Sequence, residues 1–136
     1  MFATEGKETV LTTEAPKPIG PYSQAVRTAD LVFASGQAGL DPATGKLAEG
    51  GVEAQTRQVL INLARVLEAG GSELGLVVKT TVFLKDMGDF PRMNAIYGEF
   101  FAGEPPARTT VAAAELPLGA LVEIEAIALR RRAHGG

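Results

Sequence analysis

The chain has 136 residues, enough to bury one real core but not two. Hydrophobic residues make up 46% and charged residues 21%, which excludes a disordered polymer, and a net charge of −3 argues against a nucleic-acid binder, which carries a basic excess or a basic face. The absence of cysteine excludes disulfides, thiolate metal sites and a cysteine nucleophile together, and the one histidine, His134, lies in a Gly-flanked tail unsuited to structural zinc or Ser-His-Asp chemistry.

The first ten residues, MFATEGKETV, lack a basic stretch followed by an apolar one, and no apolar run approaches bilayer length, so the expected location is the cytoplasm. One domain is expected over 1–136, with an ordered core over about 7–130. KETVLTT (7–13) reads as a first strand. EAPKPIGPY (14–22) holds Pro16, Pro18 and Pro21 and reads as an extended, ordered loop. Residues 23–38 read as two strands around a turn at Ala29-Asp30, and 39–47 as a loop with Asp-Pro and Thr-Gly turn signals.

Residues 52–69 carry the clearest helix. Val52, Thr56, Val59, Leu60, Leu63, Val66 and Leu67 recur on one stripe, while Gln55, Arg57, Gln58, Asn62 and Arg65 fall mostly off it. Gly70-Gly71 ends the helix, and Gly50-Gly51 offers no side-chain cap at its start. LVVKTTVFL (76–84) is dense in β-branched residues and reads as a buried strand. Asp89 is placed to cap a second helix with Pro91 in its first turn and Phe90, Met93, Tyr97 and Phe100 as its apolar stripe.

Two more strands are expected over 107–114 and 120–129, joined by ELPLG as a hairpin loop. The basic run Arg130, Arg131, Arg132 reads as a solvated tail rather than a phosphate grip. The order β, ββ, α, β, α, ββ implies an α+β fold: a six-stranded mixed sheet with two helices on one face. On 120–129, alternation puts Val122, Ile124, Ala126 and Ala128 on one side and Leu121, Glu123, Glu125, Ile127 and Leu129 on the other. Both sides are thus substantially apolar, which predicts a homo-oligomer with sheets packed together.

Alternation also puts Arg108, Thr110 and Ala112 on one face of their strand, and Glu123 and Glu125 on one face of theirs. Two readings follow. One is an Arg–Glu cross-strand pair on a wet sheet surface, worth at most about 1 kcal/mol. The other is a carboxylate pocket, in which the guanidinium fork binds a substrate carboxylate and a nearby glutamate moves a proton. Tyr22, after Gly-Pro at a strand entrance, is either a pocket group or a core or interface tyrosine. Ser35-Gly36-Gln37 is either a pocket edge or a plain turn at the end of a strand. Asn94 is either a site residue or a surface helix position. No GxSxG elbow and no phosphate-cradling glycine pattern is present.

IGPYSQAV (19–26), ASGQ (34–37), VVKTTVFLKDMGDF (77–90), MNAIYGEFF (93–101), PPARTTV (105–111) and VEIEAIAL (122–129) together resemble the RidA (YjgF) family of enamine/imine deaminases. The resemblance runs from about Lys7 to Arg130. It implies a chorismate-mutase-like fold, a homotrimer with active sites between subunits, and cofactor-independent hydrolysis of 2-aminoacrylate and related 2-imino acids to 2-keto acids and ammonia. By motif, it implies that Arg108 binds the substrate carboxylate and Glu123 positions or activates water, with Tyr22, Ser35, Gly36, Asn94 and Thr110 lining the pocket and no metal. Some members carry cysteine where this chain has Thr110, so no thiol is essential here. The AGE segment before PPAR is shorter than in some members, which reshapes the cleft rim. A non-catalytic carboxylate-binding regulator, RNA cleavage or translation inhibition, and chorismate mutation are the competing functions; the last rests on fold analogy alone.

Overall fold

The structure is a computed structural model that describes residues 3–132; His134 lies outside the described residues. In chain order the elements are β1 (Ala3–Thr4), β2 (Lys7–Val10), β3 (Ala25–Arg27), β4 (Leu31–Ala38), α1 (Gly51–Ala69), β5 (Val77–Leu84), α2 (Phe90–Phe100), β6 (Ala107–Ala112) and β7 (Val122–Leu129). The six expected strands and both helices are present. The two-residue β1 adds to the sheet edge through antiparallel pairing with β2.

The strands lie in the order β1-β2-β3-β4-β7-β5-β6. β5 and β6 run parallel, joined by α2 as a crossover, and the other neighbours are antiparallel, so the sheet is mixed. This order corrects one expectation: residues 115–119 are not a hairpin loop, because β5 lies between β6 and β7. The helical crossover forces β6 to lie parallel to β5, and the chain must then pass over β5 to reach β7.

The N-cap position before α1 is Gly50, which has a left-handed φ of 119° and offers no side-chain cap, as its sequence implies. Its end is a Schellman motif. Gly71, at φ 84°, donates to Glu68 O at 3.1 Å, and Ser72 N donates to Leu67 O at 2.8 Å. Asp89 occupies the N-cap position of α2 but makes no capping bond; its carboxylate accepts instead from Arg92 at 2.6 Å.

The core lies between the helices and one sheet face. Leu60, Leu63, Leu67 and Met93 from the helices meet Val82, Leu84, Val122 and Ile124 from the sheet, all fully buried. Truncating one of these leucines to alanine costs about 2–5 kcal/mol. Alternation along β7 is as expected, with Val122, Ile124, Ala126 and Ala128 buried under the helices and Glu125 and Leu129 exposed. The opposite face carries Phe33, Val111, Ile127 and Leu129, an apolar surface with no layer over it in the described residues.

Candidate active site

The strand registers decide which site residues can meet. Thr80 pairs with Arg108 and with Ala126, so Arg108 shares the helix-covered face. Phe83 pairs with Glu123, so Glu123 shares the open face. Within one chain, therefore, Arg108 and Glu123 project to opposite sides of the sheet, two strands apart. An Arg108–Glu123 or Arg108–Glu125 cross-strand pair is excluded, because β7, which carries both glutamates, does not neighbour β6 and both glutamates point the other way.

Arg108 lies under α2. Its guanidinium carbon is 4.7 Å from the centroid of the Tyr97 ring and 5.4 Å from that of Phe90. None of the ion pairs among the described residues includes it. Phe90, Asn94 and Tyr97 follow at i, i+4 and i+7 on one helix face, so Asn94 sits between the two rings that bracket the guanidinium. It is half-buried rather than a surface position. Tyr97 is held by Thr80, whose Oγ1 is 2.7 Å from its hydroxyl. Burial raises the Tyr97 pKa above the usual phenol value, and Thr80 and the Arg108 charge partly oppose that rise.

Two buried side-chain oxygens in the described residues have no hydrogen-bond partner: Asn94 Oδ1 and Thr110 Oγ1. Both belong to the neighbourhood of Arg108, since Thr110 follows it on the same strand face. Unsatisfied buried acceptors are rare, and here they lie beside a cation that has no ion-pair partner among the described residues. Phe90 and Tyr97 were legible in the sequence only as a core stripe. Their second role, as a shelf for the guanidinium, depends on which strand passes beneath them.

Glu123 belongs to a second group of residues. It lines a small cavity of about 60 Å³ with Tyr22, Gly36, Pro18, Ile19, Leu40 and Leu118, among others. Burial, and secondarily the charge of Glu125, push its carboxyl above the usual carboxylate value. Gly36 is what lets that carboxylate fit: a Cβ at residue 36 would fall 3.0 Å from its carboxyl carbon. Ser35-Gly36 is not a turn at a strand end. It is a bulge inside β4, where the pairing with β7 slips between Ala34 and Gln37. The Ser35 hydroxyl donates to Ser23 O at 2.6 Å and so ties the bulge to the residue after Tyr22. Tyr22 is half exposed at the rim, its hydroxyl accepting from Ile19 N at 3.2 Å.

Three buried amides that motif reading missed pin backbone in this half of the molecule, and Gln24 among them lines the cavity. Gln24 donates to Pro16 O at 2.9 Å and Thr12 O at 3.0 Å and accepts from Thr12 N at 2.7 Å, pinning the proline-rich loop. Gln55 accepts from Leu121 N at 2.9 Å, and Asn62 donates to Leu40 O at 2.8 Å. Gln55 and Asn62 fall off the apolar stripe of α1 yet are buried, since each satisfies a backbone group outside the helix. The basic run is not a free tail throughout. Arg130 donates to Thr28 O at 2.9 Å, and Arg131 pairs with Glu73 at 2.5 Å.

Residues 12–130 match the family model described as Endoribonuclease L-PSP. A RutC family protein of Pyrococcus horikoshii is 50% identical over 91% of this chain and 98% of its own. The mouse protein named 2-iminobutanoate/2-iminopropanoate deaminase is 49% identical over 91% of this chain and 92% of its own. The crystal structure of the YjgF gene product of E. coli superposes with a TM-score of 0.87 at 45% identity, covering 91% of this chain and 99% of that one. The chain belongs to the Endoribonuclease L-PSP family, the YjgF/RidA family that its motifs resemble.

Proposed function

We propose that the protein hydrolyses 2-imino acids and their enamine tautomers, such as 2-aminoacrylate, to 2-keto acids and ammonia, without a cofactor. The observation that carries this reading is the division of Arg108 and Glu123 between opposite sheet faces, each left with unspent chemistry. A site that needs both is built from two copies of the chain. The apolar open face around Phe33, Val111, Ile127 and Leu129 supplies a reason for copies to associate, and a homotrimer brings one subunit's Arg108 group to its neighbour's Glu123 group.

The chemistry then follows from the residues. The Arg108 fork, bracketed by Phe90 and Tyr97, holds the substrate carboxylate through paired charge-assisted hydrogen bonds. Asn94 Oδ1 and Thr110 Oγ1 take hydrogen bonds from the substrate or an ordered water. The iminium carbon is already electrophilic, so no strong nucleophile is required. Glu123, its pKa raised by burial, accepts a proton as water adds to that carbon and returns one to nitrogen as the carbinolamine collapses. One water enters; ammonia and the 2-keto acid leave. With 2-aminoacrylate, protonation of the methylene carbon first gives the iminium.

The mouse relative's name supports this reading. RNA cleavage, which the family's name carries, fits less well. The chain is acidic, and of its basic run Arg130 and Arg131 are engaged within the fold. A receptor for carboxylates alone has no use for a second, partly buried carboxylate such as Glu123.

The test is the timed conversion of freshly generated 2-iminopropanoate to pyruvate, compared with buffer alone. Arg108→Lys keeps the charge and loses the fork. The expected result is acceleration by the wild type and at least about a thirtyfold fall in kcat/KM for the variant, the lower end of the ~2–5 kcal/mol lost when one partner of a desolvated charge pair is truncated. An unchanged kcat/KM in a folded variant would sink the assignment.

A further inference from the structure

Leu118 stands apart in the backbone. It is the one non-glycine residue at positive φ among the described residues, at φ 60° and ψ 19°, and Gly119 follows it at φ 72°. The left-handed region suits glycine and asparagine, and a leucine there is uncommon. Nor does burial account for the leucine, since 58% of it is exposed. A residue kept in an unfavourable conformation without a packing reward points to a role at the surface it presents.

That surface is the Glu123 cavity. Leu118 lines it, with Pro117 beside it, and Ile19, 65% exposed, lines it from the proline-rich loop together with Pro16 and Pro18. Lys17 and Glu123 are the only charged members of the lining. Two large aliphatic side chains, both held out of the core, therefore meet at one mouth. Gln24 fixes the loop that carries Ile19, so this wall is built and not incidental. The cavity is small and its lining is mostly aliphatic and proline side chains, which suits a short aliphatic chain.

Resting on the deaminase reading, we propose that Leu118, backed by Ile19, is a specificity-determining residue: it contacts the side chain of the imino acid and favours short aliphatic substituents over a bare methyl or a charged group.

The experiment compares kcat/KM for the 2-imino acids derived from alanine and from leucine, each generated in situ, in wild type, Leu118→Asn and Leu118→Gly. Both replacements tolerate the left-handed backbone, so both are expected to fold with a Tm at or above wild type. The expected result is a fall of about tenfold in the leucine-derived to alanine-derived ratio for both variants, the scale on which hydrophobic pockets discriminate methylenes. An unchanged ratio in variants that hydrolyse both substrates would overturn the assignment while leaving the deaminase reading intact. So would an equal loss on both substrates accompanied by a change of oligomeric state by light scattering, which would make Leu118 a subunit contact. Wild-type protein that accelerates neither reaction would instead overturn the deaminase reading itself.

Discussion

The guanidinium of Arg108 lies 4.7 Å from the centre of the Tyr97 ring, and the hydroxyl of that same ring is anchored 2.7 Å from Thr80 Oγ1. Thr80 is the residue paired with Arg108 across the parallel β5–β6 ladder. One strand pair thus supplies both the cation and the anchor of the ring that orients it. Replacing Tyr97 separates the two roles. Tyr97→Phe keeps the ring and leaves a buried Thr80 hydroxyl without its partner, so about 1–3 kcal/mol of stability is lost with kcat/KM little changed. Tyr97→Leu keeps apolar bulk but removes the aromatic face, which is worth roughly 0.5–1 kcal/mol, so KM rises about two- to fivefold while kcat holds. Denaturation and steady-state kinetics on both variants separate the outcomes. Equal kinetics for Tyr97→Leu and wild type would show that the ring is core and nothing more.

Glu123 sets the acid limb of the pH profile under the proposed mechanism. Burial and then Glu125 raise its pKa, so the limb is expected above the usual carboxylate range. Glu125→Gln removes the second cause only and is expected to move the limb partway down. The stability consequence has a definite sign. A raised folded-state pKa means that the folded protein binds more protons than the unfolded chain between the two pKa values, so stability falls as pH rises through that window. Glu123→Gln, which cannot ionise, is therefore expected to remove that fall, with the difference from wild type shrinking towards acid pH. Parallel pH–rate and pH–Tm series check both statements. A limb that Glu125→Gln leaves unmoved would remove Glu123 from the titrating role.

Two glycines near the bulge predict opposite phenotypes. A Cβ on Gly36 meets the carboxyl group of Glu123, the far end of a flexible side chain. Gly36→Ala is therefore expected to fold, to displace that carboxylate and to lower kcat by tenfold or more. A Cβ on Gly39 falls 2.7 Å from Gln55 O and 2.8 Å from Gln55 Cα, which are helix backbone and cannot yield cheaply. Gly39→Ala is expected to lose about 1–3 kcal/mol of stability, the scale of overpacking. Measuring Tm and kcat on the pair decides it. A Gly36→Ala protein with full activity would show that Glu123 need not hold its position.

Much of this was legible from residue order because it rests on local periodicity. The 3.6-residue repeat of Val59, Leu63 and Val66 identifies α1 and its buried stripe, and period two along 122–129 identifies the buried side of β7. The same rule places Arg108 with Thr110, and Glu123 with Glu125, on shared faces. What period two cannot supply is the phase of one strand against another. That Arg108 and Glu123 face opposite ways follows from their registers against β5, where Arg108 pairs with Thr80 and Glu123 with Phe83, three residues on. The roles of Gln24, Gln55 and Asn62 were likewise hidden, since a buried amide looks like a surface one until the backbone group it satisfies is brought beside it. The sequence by itself determined the elements, their faces and the inventory of chemistry. Only the tertiary structure decided which groups meet, because register and strand order are set by long-range pairing and by the α2 crossover, to which no short stretch of chain is sensitive.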